Sequence, residues 1–298
     1  MKALVASLCL WSCAAALLLT AAQAQQAARP GGLPCVAPDG ALIAYSATVD
    51  GQDDLFVIPA AGGKEIRLTN TPGHEAIAGW TAGGARLVYA VYANDSSSVY
   101  ASAPDGSAPS LLARVPGRGP ELSPDGSRII TMAGNWTATK LLMSTLDGAP
   151  PRQITDGSSI AWNSRWSPDG KKIAYTGRKD SASELAVFVM DADGSHGREA
   201  THIAKEEGGA QCPSWSADGR LLALQVNSRI RKKSAHIWVV DAVTGAARKL
   251  APHEEDYVDE TPSWFPDGKR IAFQSNRTGT MEVWVMNADG TGARQLTH

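Results

Sequence analysis

The stretch PSWFPDGKRIAF (Pro262–Phe273), followed by VWVMNADG (Val283–Gly290), decides the fold of this chain. It combines a tryptophan, a Pro-Asp-Gly turn, a run of alternating apolar residues, a third apolar segment and a second Asp-Gly turn. Asp-Gly is a strong hairpin signal because both residues tolerate the positive φ angles that tight turns need. The stretch therefore predicts short antiparallel strands joined by tight turns.

The same arrangement recurs six times along the chain. The six turns are Pro38-Asp39-Gly40, Ala82-Gly83-Gly84, Pro124-Asp125-Gly126, Pro168-Asp169-Gly170, Ala217-Asp218-Gly219 and Pro266-Asp267-Gly268. A bulky apolar residue precedes each turn. These residues are Val36, Trp80, Leu122, Trp166, Trp215 and Trp264, at spacings of 44, 42, 44, 49 and 49. Six such units fill the chain after its first segment, so we predict no second domain.

A repeated four-stranded unit of this size cannot bury both of its faces alone. Units that stack around a common axis cover one another, which is the propeller arrangement. A β-sandwich also has short strands, but it would not repeat at this period. We predict an all-β, six-bladed β-propeller with four antiparallel strands per blade. The predicted blades are residues 33–70, 77–115, 119–156, 163–202, 212–251 and 261–298.

Two of the units resemble a known family. The segments Pro262–Thr297 and Trp166–Gly194 are similar to the repeat of TolB-like propellers, also described as PD40 or WD40-like repeats. The resemblance implies a six-bladed propeller. TolB itself carries an α/β domain before its propeller, so the resemblance concerns the propeller alone. The same repeat also occurs in peptidase and lyase propellers, so it specifies a fold more than a function.

The N-terminal segment is predicted to lie outside the propeller. Residues 1–24 have one early lysine, an uncharged apolar run and a final Ala22-Gln23-Ala24, the pattern of a cleaved signal peptide. Residues 25–32 are predicted to be a short linker. We expect a bacterial periplasmic or secreted protein without an integral membrane segment after cleavage. Export would permit a disulfide between Cys35 and Cys212, although the sequence leaves their pairing open.

The charge balance and the motif content narrow the function classes. The chain has 28 basic and 30 acidic residues, which argues against a nucleic-acid binder. It contains no Gly-x-Ser-x-Gly, His-Glu-x-x-His, Cys-x-x-Cys, P-loop or dinucleotide fingerprint. Catalytic groups scattered over several blades would leave no linear motif. The lack of such motifs therefore argues against an enzyme without excluding one.

One face of the predicted propeller carries the candidate binding residues. The Asp-Gly turns share a face, so the variable loops that ring the channel mouth lie on the opposite face. The predicted mouth residues are His74, Glu75, Asn163, Glu206, Glu207, His253, Glu254, Glu255, Asp256, Asp259 and Glu260. They would form an acidic mouth that attracts a basic segment, or they would simply be solvated loop residues. The turn aspartates and the tryptophans are expected to be structural.

The sequence contains candidates for two further sites, a basic docking patch and a metal site. Arg229, Arg231, Lys232 and Lys233 would form a docking patch on the same face, or a solvated loop. We predict no catalytic residue, no metal site and no cofactor, although carboxylate-rich loops could bind Ca²⁺. His74, His202 and His253 would support a lyase-like metal site only if the fold brought them together.

The leading functional hypothesis is an exported scaffold that binds an envelope protein or a peptide segment at the channel mouth. The alternative is a propeller enzyme, related to polysaccharide lyases or hydrolases, that acts on a saccharide or small substrate at the central channel. The sequence does not identify the partner or the oligomeric state.

Overall fold

The computed structural model describes residues 29–30, 33–135, 138–156, 160–180, 183–204, 207–229, 234–250 and 256–298. These residues form six antiparallel sheets arranged as six blades, which confirms the predicted all-β, six-bladed propeller. One short 3-10 turn, Ala82–Gly84, interrupts the strands in the described part of the chain. The predicted signal peptide, residues 1–24, lies outside the described residues. Within those residues, no helix has the length and apolar character needed to cross a membrane.

Within each blade, the strands are numbered from the innermost to the outermost. Blade one contains β1 (Arg29–Pro30), β2 (Cys35–Val36), β3 (Leu42–Val49), β4 (Gln52–Pro59) and β5 (Ile66–Arg67). Blade two contains β6 (Glu75–Trp80), β7 (Leu87–Ala93), β8 (Ser96–Ser102) and β9 (Ser110–Pro116). Blade three contains β10 (Arg118–Leu122), β11 (Arg128–Asn135), β12 (Ala138–Thr145) and β13 (Arg152–Gln153).

The remaining blades follow the same order. Blade four contains β14 (Ala161–Trp166), β15 (Lys172–Gly177), β16 (Ala186–Asp191) and β17 (Arg198–Glu199). Blade five contains β18 (Gly208–Trp215), β19 (Leu221–Ser228), β20 (Ala235–Asp241) and β21 (Ala247–Lys249). Blade six contains β22 (Asp259–Trp264), β23 (Arg270–Ser275), β24 (Glu282–Asn287) and β25 (Arg294–Gln295).

The core lies between the blades. Six apolar clusters are present, and each joins side chains of two neighbouring blades. The four tryptophans of the repeat, Trp80, Trp166, Trp215 and Trp264, are only 6–8% exposed, which confirms their structural role. Fully burying a large apolar side chain stabilises a fold by roughly 1.5–3 kcal/mol, so each repeat contributes to its neighbour's stability. No blade could bury this surface alone.

The ring closes through the same kind of interface. In the described residues, every sheet is built from consecutive strands, and β1 and β2 both pair with β3 of their own blade. Blade six meets blade one through an apolar cluster that includes Tyr45 and Phe265. Ser263 Oγ accepts a hydrogen bond from Val36 N at 3.2 Å, and Arg294 Nη2 donates to the Ala60 carbonyl at 2.6 Å. Closure therefore rests on packing and on side-chain hydrogen bonds between the terminal blades.

The inner strands begin earlier than the predicted blade boundaries. The inner strands of blades two to six start at Glu75, Arg118, Ala161, Gly208 and Asp259, one to four residues before the predicted starts. Part of the predicted linker 25–32 also belongs to the sheet, because β1 pairs with Ala47 and Thr48. Three of these strands start at a charged residue, Glu75, Arg118 or Asp259, and charged residues at strand ends resemble loop residues in the sequence.

Candidate functional site: the central channel

The inner strands of blades three to six share an irregularity at one position of the repeat. Three residues before the bulky repeat position, blades three to six carry a residue with positive φ: Gly119 (61°), Asn163 (49°), Cys212 (54°) and Thr261 (53°). The pairing register shifts at each of these sites, as in a β-bulge. For a residue other than glycine, this conformation costs roughly 1–2 kcal/mol. Such strain, repeated at one level of the ring, is typical of functional surfaces.

A cavity of about 360 Å³ lies on the propeller axis. Its lining includes the residue immediately before the bulky repeat position in every blade: Cys35, Gly79, Glu121, Arg165, Ser214 and Ser263. Since all six blades contribute, the cavity is a section of the central channel. We call it the mid-channel cavity and these six residues the mid-channel ring.

Part of the mid-channel ring joins neighbouring blades. Ser214 Oγ accepts a hydrogen bond from Trp264 N at 3.0 Å, and Ser263 Oγ accepts from Val36 N at 3.2 Å. The backbone N–H of Trp166 acts on the Glu121 carboxylate from the equivalent position and lowers its pKa. Two ring members, Ser214 and Ser263, therefore hold the inner strand of the next blade in place by hydrogen bonds.

Glu121 and Arg165 form an ion pair inside the channel. Arg165 Nη1 lies 2.8 Å from Glu121 Oε2, and the two side chains are 24% and 16% exposed. Burial raises the pKa of Glu121 to about 7, although the Arg165 guanidinium opposes the shift. Glu121 is therefore poised to change its protonation state near neutral pH.

The chain has two thiols in its described part: Cys35 lines the mid-channel cavity, and Cys212 is buried in β18. Cys35 and Cys212 are both free cysteines, so the structure contains no bridge between them. Burial raises the pKa of each thiol to about 12. Asn163 Nδ2 donates a hydrogen bond to Cys212 Sγ at 3.2 Å. Thiolates are the reactive form of cysteine, so these raised pKa values describe structural thiols rather than nucleophiles.

A second cavity of about 340 Å³ lies at the mouth of the channel, on the face opposite the Asp-Gly turns. Its lining combines an aromatic ring, a thioether, a guanidinium and amide groups. The main lining residues are Arg118, Met132, Trp162, Asn163 and Gln211. Trp162 and Met132 are both half-buried. We call this cavity the mouth cleft.

Two of the predicted mouth residues are already held by the chain's own donors. Glu75 is the first residue of β6 and is buried, and its carboxylate accepts hydrogen bonds from the hydroxyls of Thr69 and Thr71. Asp259 is 1% exposed, and both of its oxygens accept from Arg277 Nη2 at 2.7 Å. Burial raises the pKa of both carboxyl groups. Their contacts stabilise the blades.

The other predicted mouth residues are placed differently. Asn163 lies in β14 and lines the mouth cleft. Glu260 lies half-buried in β22, where burial raises its pKa. Of the predicted loop residues, His74 and Asp256 are exposed and Glu207 is half-buried. Glu206, His253, Glu254 and Glu255 lie outside the described residues.

The basic patch is described in part. Arg229 is exposed and forms an ion pair with Glu184. Arg231, Lys232 and Lys233 lie outside the described residues, so the docking patch stays a prediction.

The described residues also bear on a metal site. His74 and His202 are both exposed. Among the residues with described positions, no three His, Cys, Asp or Glu side chains are grouped so that they could hold a metal ion.

The central pair and, apart from Asn163, the residues of the mouth cleft are not among those predicted from the sequence. Glu121, Arg165 and Trp162 were not predicted as site residues. One signal could have found the first two: the residue before the bulky repeat position is cysteine, glycine or serine in four blades. A glutamate and an arginine in that small-residue column are exceptional. Nothing comparable marks Trp162, because the bulge that turns it toward the channel has no sequence signature.

Two curated relatives are similar in sequence. An uncharacterized protein of Agrobacterium fabrum is 28% identical over 194 residues, which cover 62% of this chain and 66% of that protein. The Tol-Pal system protein TolB of an Anaeromyxobacter species is 30% identical over 126 residues, which cover 42% of this chain and 26% of that protein. The matches thus span less than two thirds of the length of either relative.

Two solved structures are similar in fold. TolB from Acinetobacter baumannii gives a TM-score of 0.69 at 18% identity, with 90% of this chain and 63% of that chain covered. An oligogalacturonate lyase in complex with manganese gives a TM-score of 0.60 at 14% identity, with 91% and 78% covered. At these identities the likeness shows the fold alone. A sequence model of the TolB beta propeller domain matches residues 133–298, which is more than half of the chain, and the chain therefore belongs to this family.

Proposed function

We propose that this chain is an exported binding module that takes up a polypeptide segment of an envelope protein at the mouth of its channel. The single observation that carries the proposal is the mouth cleft, in which Trp162 and Met132 lie beside the polar groups of Arg118 and Gln211. The chain's membership of the TolB beta propeller domain family and its similarity to a protein named for the Tol-Pal system support the envelope setting.

The chemistry of the mouth cleft suits a polypeptide. Tryptophan, methionine and arginine are the side chains enriched in the buried centres of protein interfaces. Asn163 and Gln211 carry amide groups, which can donate to and accept from a peptide backbone. A volume of about 340 Å³ is at the lower end for ligand pockets and suits one or two side chains rather than a folded surface. The mouth cleft therefore favours a short anchoring segment.

Fewer acidic residues are proposed to attract the segment than the acidic mouth predicted from the sequence contains. Glu260 lies on β22 one residue after the buried Asp259, at the strand position equivalent to Trp162 on β14. Its carboxyl group is half-buried, and burial raises its pKa. We propose that Glu260 and the exposed Asp256 steer an approaching segment. Exposed charges change association rates more than final affinity.

The test is peptide retention by the immobilised protein. A randomised pool of twelve-residue peptides is passed over the wild type and over Trp162→Ala, and the retained peptides are quantified by mass spectrometry. We expect Trp162→Ala to reduce retention at least tenfold, because a buried aromatic anchor dominates such interfaces. Leu111→Ala is the matched control, because Leu111 is a large apolar residue, 47% exposed, on the outer strand β9. We expect it to retain peptides within twofold of the wild type.

Two outcomes would contradict the proposal. Equal retention by the wild type and Trp162→Ala would remove the mouth cleft from the binding surface. A pool of oligogalacturonates is run in parallel, because the alternative hypothesis is a saccharide-directed enzyme. Retention or cleavage of that pool, without retention of peptides, would favour the alternative.

A further inference from the structure

We infer that the mid-channel cavity binds a carboxylate group, which Arg165 receives on the part of its guanidinium that the protein leaves without an acceptor. The inference rests on the proposed function, since it assigns a chemical group to the segment that enters the channel. The carboxylate is supplied by the C-terminus of that segment, by an acidic side chain or by a small acid, and the experiment below separates the three.

The hydrogen bonds of Arg165 carry the inference. A guanidinium has five N–H donors. Nη1 donates to Glu121 Oε2 at 2.8 Å and to the Ser164 carbonyl at 2.9 Å. Within the described residues, Nε and Nη2 have no acceptor, although the side chain lines the mid-channel cavity and is 24% exposed. Three donors of a largely buried cation are therefore left for a ligand.

The position of Arg165 is fixed from both sides. Trp215 Nε1, from the next blade, donates to the Arg165 carbonyl at 3.2 Å. Glu121, from the preceding blade, holds one end of the guanidinium. A held, planar guanidinium loses little conformational entropy when it binds a second group. Its remaining edge matches the two oxygens of a carboxylate.

The rest of the cavity lining favours a singly charged anion over a doubly charged one. Ser214 and Ser263 already accept backbone hydrogen bonds through Oγ, and their hydroxyl hydrogens are available to donate. Asp53, Glu75 and Glu121 also line the cavity, so a doubly charged phosphate would be repelled more strongly than a carboxylate. Near neutral pH, a protonated Glu121 would add an O–H donor to the same group, because its pKa is raised to about 7.

The mid-channel cavity is within reach of a segment held in the mouth cleft. Trp162 and Arg165 are three residues apart on β14. A strand rises about 3.3 Å per residue, and the bulge between them shortens this distance, so the separation along the axis is about 10 Å or less. Two or three residues of an extended peptide span that distance. A segment anchored at Trp162 can therefore place its terminal carboxylate beside Arg165.

The experiment compares matched peptide pools. The first pool contains N-acetylated tetrapeptides without acidic side chains and with a free C-terminal carboxylate. The second contains the same sequences as C-terminal amides, and the third contains amides with one internal glutamate. Retention by the immobilised full chain is measured at pH 7. Competition by millimolar acetate tests the small-acid source. We expect the first or third pool to be retained at least tenfold better than the second.

Variants of Arg165 test whether this residue produces the preference for carboxylates over amides. Arg165→Gln should reduce the ratio of carboxylate to amide retention to below two. Arg165→Lys keeps the charge but loses the planar fork, and it should reduce the ratio at least threefold even if the Gln variant does not fold. Arg152→Gln is the matched control, because Arg152 is exposed and donates to the Asp193 carbonyl away from the channel. Near-ultraviolet circular dichroism verifies that each variant is folded.

The outcomes separate this inference from the proposed function. If the wild type retains acids and amides equally but still depends on Trp162, the carboxylate site is wrong and the peptide-binding function stands. A carboxylate preference that survives in folded Arg165→Gln would also overturn the inference. If the wild type retains no pool, both proposals fail.

Discussion

Carboxylates at the two ends of this propeller respond to their surroundings in opposite ways. On the turn face, Asp125 and Asp169 have side chains that are 59% exposed, and hydrogen bonds lower the pKa of each. In the channel half, Glu75, Glu121 and Glu260 are at least half-buried, and burial raises the pKa of each. Carboxyl groups therefore behave differently at the two ends of the propeller. The hydrogen-bond donors and the solvent around each carboxyl group determine whether its pKa is lowered or raised.

The hydrogen bonds explain the turn face in detail. Asp125 accepts from Ser123 Oγ at 2.5 Å and from Ser127 N at 3.0 Å, which closes the turn and stabilises the ionised form. The same two contacts recur at Asp169, from Ser167 Oγ and Lys171 N. An ionised aspartate can only accept hydrogen bonds, and Oδ1 of each is already used by its turn. Burial raises the pKa of the channel carboxylates, to about 7 for Glu121, so function is expected at that end.

The largest expected effect comes from breaking a buried pair at the channel end. Asp259→Asn removes the negative charge and replaces one of the two oxygens that accept from Arg277 Nη2 with an NH2 donor, while Arg277 stays packed on the rings of Tyr257 and Trp284. Removing one partner of a buried ion pair typically costs about 3–5 kcal/mol because the other charge stays buried. We expect a loss of about 3 kcal/mol in the free energy of unfolding, measured by urea denaturation at pH 7.

A substitution on the turn face is the matched control for that measurement. Asp289→Asn changes the same side chain in the same blade, at an exposed turn where Asp289 accepts from Thr291. We expect a clearly smaller loss of stability than for Asp259→Asn. Equal losses would show that the buried pair is worth no more than a turn contact.

A smaller effect is expected from Glu121→Gln, and it depends on pH. The folded state raises the pKa of Glu121 from 4.5 to about 7, so it binds the proton more tightly than the unfolded chain does. Stability from this group is therefore fully present below about pH 4.5 and is lost as the pH rises through about 7. Glu121→Gln cannot titrate, so its urea midpoint should fall less between pH 5 and pH 8 than that of the wild type.

The neighbours of Glu121 define how this result is interpreted. Arg165, Cys35 and the backbone N–H of Trp166 act on or near its carboxyl group, and none of the three changes charge between pH 5 and pH 8 while folded. Glu75 and Glu260 remain in the variant and supply the same background in both proteins. An unchanged pH dependence in Glu121→Gln would show that the buried carboxyl does not titrate in this range.

The fold could be predicted from the sequence because its determinants are local and repeated. The Asp-Gly turns indicate hairpins, and the column of tryptophans indicates packing between blades. Because the pattern occurs six times, the altered turn at Ala82-Gly83-Gly84 does not hide it. The channel could be predicted only coarsely. Whether Arg165 meets Glu121 depends on contacts between blades that lie 44 residues apart. The burial of Asp259 likewise depends on Arg277, 18 residues later, which a loop-like charge pattern does not reveal.

The smallest expected effect compares two turns of the same face. Asp125 accepts from the hydroxyls of Ser123 and Ser127 and from the Ser127 N–H, whereas Asp39 has Ala37 in place of Ser123 and accepts from Ala41 N alone, at 2.9 Å. One hydrogen bond contributes about 0.5–1.5 kcal/mol, so Asp125→Ala should cost about 1 kcal/mol and Asp39→Ala about half as much. The pKa of Asp125 is lowered to about 2 in the folded state, so its contribution is present above about pH 4 and is lost as the pH falls toward 2. Urea denaturation at pH 7 and pH 3 should therefore show the Asp125→Ala deficit shrinking in acid. A deficit for Asp39→Ala as large as that for Asp125→Ala would mean that the two serine hydroxyls add nothing to the bond that each aspartate accepts from a backbone N–H.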